Sequence, residues 1–102
     1  MERTYIKDLA QKIGEEVSIS GWVDIRRDQG KMIFFDFRDV SGKVQGVVLS
    51  NNKSVLETSK EIRPEWVVKV NGKINKRPDK NIQKDKQNGD IELEILGIEI
   101  LN

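Results

Sequence analysis

The feature that most constrains this fold is a period-two alternation of apolar and polar residues, which recurs in five segments of a 102-residue chain. Side chains of a β-strand point alternately to opposite faces, so this period predicts strands that bury one face. The predicted strands cover residues 17–26, 32–38, 43–49, 66–76 and 90–100. Short turns join the first three strands, which indicates an antiparallel meander.

The alternation also predicts which residues face the core. In the first strand these are Val17, Ile19, Gly21, Val23 and Ile25, with Arg26 on the opposite, polar face. In the last strand the apolar phase slips by one residue after Ile95, and Gly97 lies inside the slip. A slip of this kind next to a glycine predicts a β-bulge.

Two helices are predicted beside the strands. Apolar residues with helical spacing predict a short N-terminal helix that ends at Gly14; they are Ile6, Leu9, Ala10 and Ile13. Residues 53–63 have helical propensity, and Pro64 limits that helix at its end.

The resulting order is β-β-β-α-β-β, with one helix between the third and fourth strands. This order predicts a mainly β, five-stranded OB-fold Greek-key barrel that forms a single domain over residues 1–102. An SH3-like barrel or a split sandwich would have similar strands, but the position of the helix favours the OB fold.

Composition excludes several kinds of chemistry. The chain has no cysteine and no histidine, which removes thiol nucleophiles, histidine bases and most zinc sites. Glu92 and Glu94 share a strand face, but no third acid, base or nucleophile accompanies them as a hydrolase or Mg²⁺ site would require. No apolar run approaches the ~20 residues of a membrane span. We therefore expect a cytoplasmic domain that binds a partner and has no metal site.

Phe34 is the most informative single residue. If Ile33, Phe35 and Phe37 fill the barrel, Phe34 must lie on its outer face, where an aromatic ring can stack on a nucleobase. Gln45, on the polar face of the third strand, can lie near it and offers both a donor and an acceptor to a base edge. The alternative is that the N-terminal helix or another domain covers Phe34 and that Gln45 is an ordinary surface residue.

Positive charge is unevenly distributed. Residues 69–87 contain seven Lys/Arg and two Asp, a local charge of +5, whereas residues 88–102 carry a local charge of −4. A basic stretch beside a polar sheet face can attract phosphate, although a solvated surface loop would have the same composition. The cluster of Arg26, Arg27 and Arg38 could also contact phosphates.

Four motifs carry a family resemblance: RTYIKDL at 3–9, GWVDIRRDQGKMIFFDFRD at 21–39, GKVQGVV at 42–48 and KNIQKDKQNGDIELE at 80–94. Together they resemble the N-terminal anticodon-binding domain of bacterial-type aspartyl-tRNA synthetases. The motif at 21–39 alone would also admit asparaginyl- and lysyl-tRNA synthetases, while the stretch at 80–94 favours the aspartyl enzyme.

The resemblance implies a partner and a set of contacts. The partner is the anticodon loop of aspartate tRNA, with Phe34 stacked on the middle base, Gln45 reading a base and Glu92 reading the first base. The full RNA-binding set implied is Arg27, Phe34, Gln45, Arg77, Asn81 and Glu92. One position departs from the family pattern, because Asn75 stands where bacterial relatives often have a second arginine.

The resemblance also implies what this sequence lacks. The synthetase catalytic domain is absent, so the chain is either a piece of a longer enzyme or a free-standing relative, not an enzyme on its own. The parent enzyme would ligate aspartate to tRNA with ATP and Mg²⁺, as a homodimer with the catalytic domain in cis. This chain itself would be a monomer with no cofactor. A sequence-tolerant single-strand binder and an interaction domain that uses Phe34 at an interface are the competing functional hypotheses.

Overall fold

Five strands close into a barrel in the computed structural model, which describes residues 2–102. The strand order is β1-β2-β3-β5-β4; adjacent strands are antiparallel except β3 and β5, whose parallel pairing completes the barrel. The elements are β1 (Glu16–Asp28), β2 (Ile33–Asp39), β3 (Gly42–Val48), α1 (Lys53–Glu61), β4 (Val67–Lys76) and β5 (Ile91–Ile100). Two short 3₁₀ helices cover Ile6–Gln11 and Asp79–Asn81. The predicted mainly β OB barrel is confirmed.

The barrel interior follows the predicted alternation in β2. Ile33, Phe35 and Phe37 are fully buried, and the two phenylalanine rings stack with centroids 5.2 Å apart. Phe34 and Asp36 between them are only half-buried, because their side chains point out of the barrel. The face assigned to Phe34 is therefore correct.

The N-terminal segment differs from the predicted helix. It forms a 3₁₀ helix, in which Ile6 and Leu9 are buried, while Ala10 and Ile13 are exposed. In a 3₁₀ helix, with three residues per turn, residues i and i+3 share a face. Of the predicted apolar stripe, only Ile6 and Leu9 therefore lie on the buried face. Gly14 has the left-handed φ of +87° expected where the helix ends.

A bulge in β1 reverses the predicted faces near its end. The register with β2 shifts between Val23 and Ile25, so Ile25 is 43% exposed and does not enter the core. Arg26 turns away from the polar face, and its guanidinium donates to the carbonyl oxygens of Ser59 and Lys60 at the end of α1. The predicted orientations of Ile25 and Arg26 were wrong, because an unbroken alternation in the sequence does not reveal an inserted residue.

The bulge predicted in β5 is present. Asn71 of β4 pairs with Gly97 and Gly72 pairs with Ile95, which leaves Leu96 without a partner in that ladder. Leu96 is 42% exposed, whereas Ile95 is buried. The extra residue thus accounts for the phase slip in the apolar pattern.

Asp39 connects the N-terminal segment to the β2–β3 turn. Its carboxylate accepts from the backbone N–H groups of Ile6, Ser41 and Gly42 and from the Ser41 hydroxyl, at 2.6–3.1 Å. Burial acts to raise the pKa of the carboxyl, but these hydrogen bonds outweigh it and hold the pKa below the usual aspartate value. Within residues 2–102, no helix has the length and apolarity needed to cross a membrane.

Candidate nucleic-acid interface

A cleft of about 360 Å³ opens on the outer face of the barrel, between the sheet and the loop that joins β4 to β5. The side chains on its sheet side are Phe34 from β2, Gln45 from β3 and Glu92 from β5. Its other side comes from Arg77 and the loop, with Pro78, Lys80, Asn81, Ile82 and Gln83. Five of the six residues implied by the resemblance therefore line one cleft, and the sixth, Arg27, is bonded to it through Gln45.

Phe34 presents its ring to this cleft. The residue pairs with Arg27 of β1 on one side and with Val47 of β3 on the other, so strands hold its backbone on both sides. The N-terminal 3₁₀ helix docks on the β2–β3 turn through the bond from Ile6 to Asp39. The ring is thus held in place by the sheet and remains accessible in the cleft, as a stacking surface must be.

Gln45 lies at the centre of a hydrogen-bonded group. Its Nε2 donates to Oε2 of Glu92 at 2.8 Å, and its Oε1 accepts from Nη2 of Arg27 at 3.4 Å. Each group retains hydrogen-bonding capacity, because the amide nitrogen has a second proton and the carboxylate has further lone pairs. The sheet side of the cleft therefore offers one donor and several acceptors to a bound base.

Arg77 and Asn81 shape the loop side. Arg77 is 8% exposed, and its Nε donates to the carbonyl oxygen of Ile91 at 2.8 Å, while its Nη1 lies 3.5 Å from the carbonyl oxygen of Asn81. The guanidinium thus ties the start of the loop to β5. Only a small edge of Arg77 is available to a ligand, so its structural role is the larger one.

The far end of the loop is tied to the β2–β3 turn. The side-chain amide of Gln87 accepts from the N–H of Lys43 at 3.2 Å and lies 3.4 Å from the carbonyl oxygen of Ser41. Asn88, in the left-handed region with φ of +56°, donates to the carbonyl oxygen of Lys43 at 2.8 Å. Side chains therefore hold a loop that has little regular secondary structure of its own.

A second groove of about 630 Å³ lies on the other side of Gln45. Arg27, Asp36, Lys43 and Lys86 supply charged groups to it. Arg38 lies outside both clefts, because it pairs with Asp24 and Glu65 and lies 5.5 Å from the centroid of the Trp22 ring. Of the cluster of Arg26, Arg27 and Arg38, only Arg27 lines either cleft.

Positive charge approaches the cleft from the loop. Lys80 lines the cleft and Lys86 lines the second groove, and none of the four ion pairs found among residues 2–102 uses a lysine of the loop. Asn75, on β4, donates to Oε1 of Glu94 at 3.1 Å and pairs in register with Glu92. The site therefore combines a ring, a fixed amide, a carboxylate and cations outside those ion pairs.

Sequence reasoning missed two participants in the site. Asp36 accepts two hydrogen bonds from Arg27, and Gln83 lines both clefts. The signal for Asp36 was its place on the same strand face as Phe34. The role of Gln83 could not be predicted from the sequence, because nothing in a polar loop indicates which side chains turn towards the sheet.

The chain is similar to known proteins along most of its length. An aspartate–tRNA(Asp/Asn) ligase of Natranaerobius thermophilus is 39% identical over 105 residues, covering 100% of this chain and 18% of the relative. An aspartate–tRNA ligase of Oceanobacillus iheyensis is 41% identical over 93 residues, covering 90% of this chain and 16% of the relative. This chain thus spans less than a fifth of the length of these relatives.

A solved structure shares the fold at lower identity. The aspartyl-tRNA synthetase of Entamoeba histolytica superposes with a TM-score of 0.86 at 20% identity, over 98% of this chain and 21% of that one. Residues 17–101 match the tRNA anticodon family, whose members are described as OB-fold nucleic acid binding domains. This family match covers most of the chain, and the two relatives above are 39% and 41% identical to it. This protein therefore belongs to the tRNA anticodon family of OB-fold domains, in the form carried by aspartate–tRNA ligases.

Proposed function

We propose that this domain binds the anticodon loop of aspartate tRNA in the cleft beside Phe34. The observation that carries the proposal is the convergence of Phe34, Gln45 and Glu92 from three strands on one cleft, bordered by a loop that carries Lys80, Lys84 and Lys86. An anticodon loop presents unstacked bases whose Watson–Crick edges are open to side chains. A ring for stacking and fixed polar groups at its edge match those two features.

The middle base, a uridine in aspartate tRNA, stacks on Phe34 and is read by Gln45. The free proton of Nε2 donates to a uracil carbonyl, and Oε1 accepts from the ring N–H. The first base, a guanosine or its modified form, donates its N–H groups to Glu92. Because a carboxylate is only an acceptor, it would repel the ring acceptor that adenine presents at the same place.

The loop around the cleft has a different role in this proposal. Lys80, Lys84 and Lys86 contact phosphates, as does Arg27. Asn81 and the accessible edge of Arg77 complete the contacts to the RNA. In the full-length enzyme this recognition would select the tRNA for a catalytic domain in cis, which ligates aspartate with ATP and Mg²⁺.

The test is a set of stem-loop RNAs that differ at one anticodon base each, titrated against the wild-type domain and against Glu92→Gln. Changing guanosine to adenosine at the first position should cost the wild-type domain roughly 1–3 kcal/mol of binding free energy. Glu92→Gln should reduce that cost, because an amide can present either a donor or an acceptor. Equal affinity of the wild-type domain for every loop would contradict the proposal and favour a sequence-tolerant single-strand binder.

A further inference from the structure

Four side chains on the outer face of the barrel form one hydrogen-bonded chain across four strands. Asp36 accepts from Arg27 twice, with Nη1–Oδ2 at 3.2 Å and Nη2–Oδ1 at 3.3 Å. The same Nη2 of Arg27 donates to Oε1 of Gln45 at 3.4 Å. Nε2 of Gln45 then donates to Oε2 of Glu92 at 2.8 Å. The chain thus begins at a carboxylate outside the Phe34 cleft and ends at one inside it.

We propose that Asp36 is a positioning residue that sets the base specificity of this domain by fixing, through Arg27, which end of the Gln45 amide faces the ligand. The inference rests on the proposed function, since it concerns how the middle base is read. Asp36 does not line the Phe34 cleft, so its effect on that base passes through its neighbours.

The amide of Gln45 has one orientation that satisfies both neighbours. With Oε1 towards Arg27 and Nε2 towards Glu92, each bond joins a donor to an acceptor. A flipped amide would bring its protons against the guanidinium, which is only a donor, and its oxygen against the carboxylate, which is only an acceptor. The two charged neighbours therefore select one orientation of the amide, and this is the orientation that the proposed reading of uracil uses.

Asp36 is needed because Arg27 is long and 39% exposed at its side chain. Two parallel bonds from one guanidinium to one carboxylate fix the plane of the guanidinium as well as its position. The bulge in β1 makes Ile25, not Asp24, the register partner of Asp36 and places Arg27 opposite Phe34, so Arg27 reaches the carboxylate diagonally from the neighbouring outward position. Without Asp36, Arg27 would be free to turn to solvent and to release Oε1 of Gln45.

Uridine and cytidine distinguish the two amide orientations. Uracil presents a donor at the ring nitrogen and an acceptor at the adjacent exocyclic group, whereas cytosine presents an acceptor and a donor at the same two places. The experiment measures the ratio of affinities for two stem-loops, one with uridine and one with cytidine at the middle position. Asp36→Ala should lower the uridine preference roughly five- to tenfold. Arg27→Lys should have a similar effect, since a single ammonium cannot hold the same two bonds to a carboxylate.

The matched control is Glu94→Ala. Glu94 is also an outward carboxylate that accepts one side-chain bond, from Asn75, but it has no bond to Gln45. This variant removes the same charge from the same face and should leave the uridine preference unchanged. An unchanged preference in Asp36→Ala, or an equal loss in Glu94→Ala, would overturn the proposal.

A measurement on the free protein separates this proposal from the proposed function. The side-chain NH₂ signals of Gln45 in ¹⁵N NMR spectra report on its bonds to Arg27 and Glu92 without any RNA. Asp36→Ala should shift these signals and speed their exchange with solvent, whereas Glu94→Ala should not. If no RNA binds the wild-type domain, the proposed function fails, but the NH₂ signals of Gln45 still test whether Asp36 positions that amide. Unchanged signals in Asp36→Ala would refute the positioning role of Asp36.

Discussion

The two walls of the cleft are built in different ways. The sheet wall consists of side chains on paired strands, and its polar groups bond to one another, as in the pair of Gln45 and Glu92. The loop wall, residues 77–90, has one short 3₁₀ helix and is held at its ends by the side chains of Arg77, Gln87 and Asn88. Strand pairing and mutual hydrogen bonds hold the polar groups of the sheet wall in place, whereas the loop wall carries lysines that take no part in the ion pairs of residues 2–102.

This contrast indicates that the polar groups of the sheet wall discriminate between bases, whereas the loop lysines attract phosphates. Groups held on strands can discriminate between bases, because the cost of a wrong donor or acceptor cannot be relieved by movement. Flexible lysines attract phosphate whatever the base sequence, so they contribute affinity without discrimination. Substitutions of the polar groups on the sheet wall should therefore change specificity, whereas substitutions of the loop lysines should change affinity and leave the ranking of anticodon bases largely intact.

The largest effects should come from neighbouring phenylalanines on opposite faces of β2. Phe35→Ala should cost about 3–5 kcal/mol of unfolding free energy, because it leaves a cavity in the core. Phe34→Ala should keep the fold but weaken stem-loop binding by roughly 1–3 kcal/mol, the value of one stacked base. Chemical denaturation of both variants measures the unfolding free energy, and RNA titration of both measures the binding free energy. Loss of cooperative unfolding in Phe34→Ala would show that its ring belongs to the core.

Gly89→Ala should perturb the loop wall alone. A Cβ at Gly89 would overlap with the carbonyl oxygen of Gln83, so the loop would have to shift its backbone. We expect this overpacking to cost about 1–3 kcal/mol of unfolding free energy and the shifted loop to weaken stem-loop binding, with the ranking of anticodon variants preserved. Gly97→Ala is the control, because a Cβ there meets no atom within 4 Å. A changed ranking in Gly89→Ala would mean that the loop also reads bases.

Replacing the loop lysines should change the salt dependence more than the specificity. In a triple variant with Lys80, Lys84 and Lys86 changed to Gln, the slope of log affinity against log salt should become shallower by about 0.7 for each phosphate that is no longer neutralised. Titrations of the matched stem-loop at several salt concentrations give the slope. A slope equal to that of the wild-type domain would place the phosphate-binding residues elsewhere.

The smallest effect concerns Asp39, which supports the turn on which the loop rests. Its pKa is depressed in the folded state, so its ionised form stabilises the fold above the usual aspartate pKa, and this stabilisation is lost as the pH falls through the folded value. Asp39→Asn should lower stability at neutral pH and weaken the loss of stability on acidification. Denaturation at neutral pH and at several acidic values below the usual aspartate pKa measures both, and parallel pH curves for the two proteins would contradict the assignment.

Much of this architecture is predictable from the sequence, because it depends on local patterns. The alternation in β2 places Phe34 outside, since three apolar neighbours of the same phase must fill the barrel. The phase slip near Gly97 predicts the bulge in β5, because there the apolar pattern itself changes phase. The family motifs also predict five of the residues that line the cleft.

The features that could not be predicted from the sequence depend on contacts between segments that are distant in the chain. The bulge in β1 leaves the alternation unbroken, so only the pairing with β2 shows that Arg26 turns to α1 while Arg27 joins the outer face. Gln45 and Glu92 are 47 residues apart and meet because β3 and β5 pair in parallel. The sequence by itself determined which face each residue of a regular strand occupies, because that depends on a two-residue period. Only the closed barrel decided which side chains share a hydrogen bond, because that depends on register between strands that the period does not set.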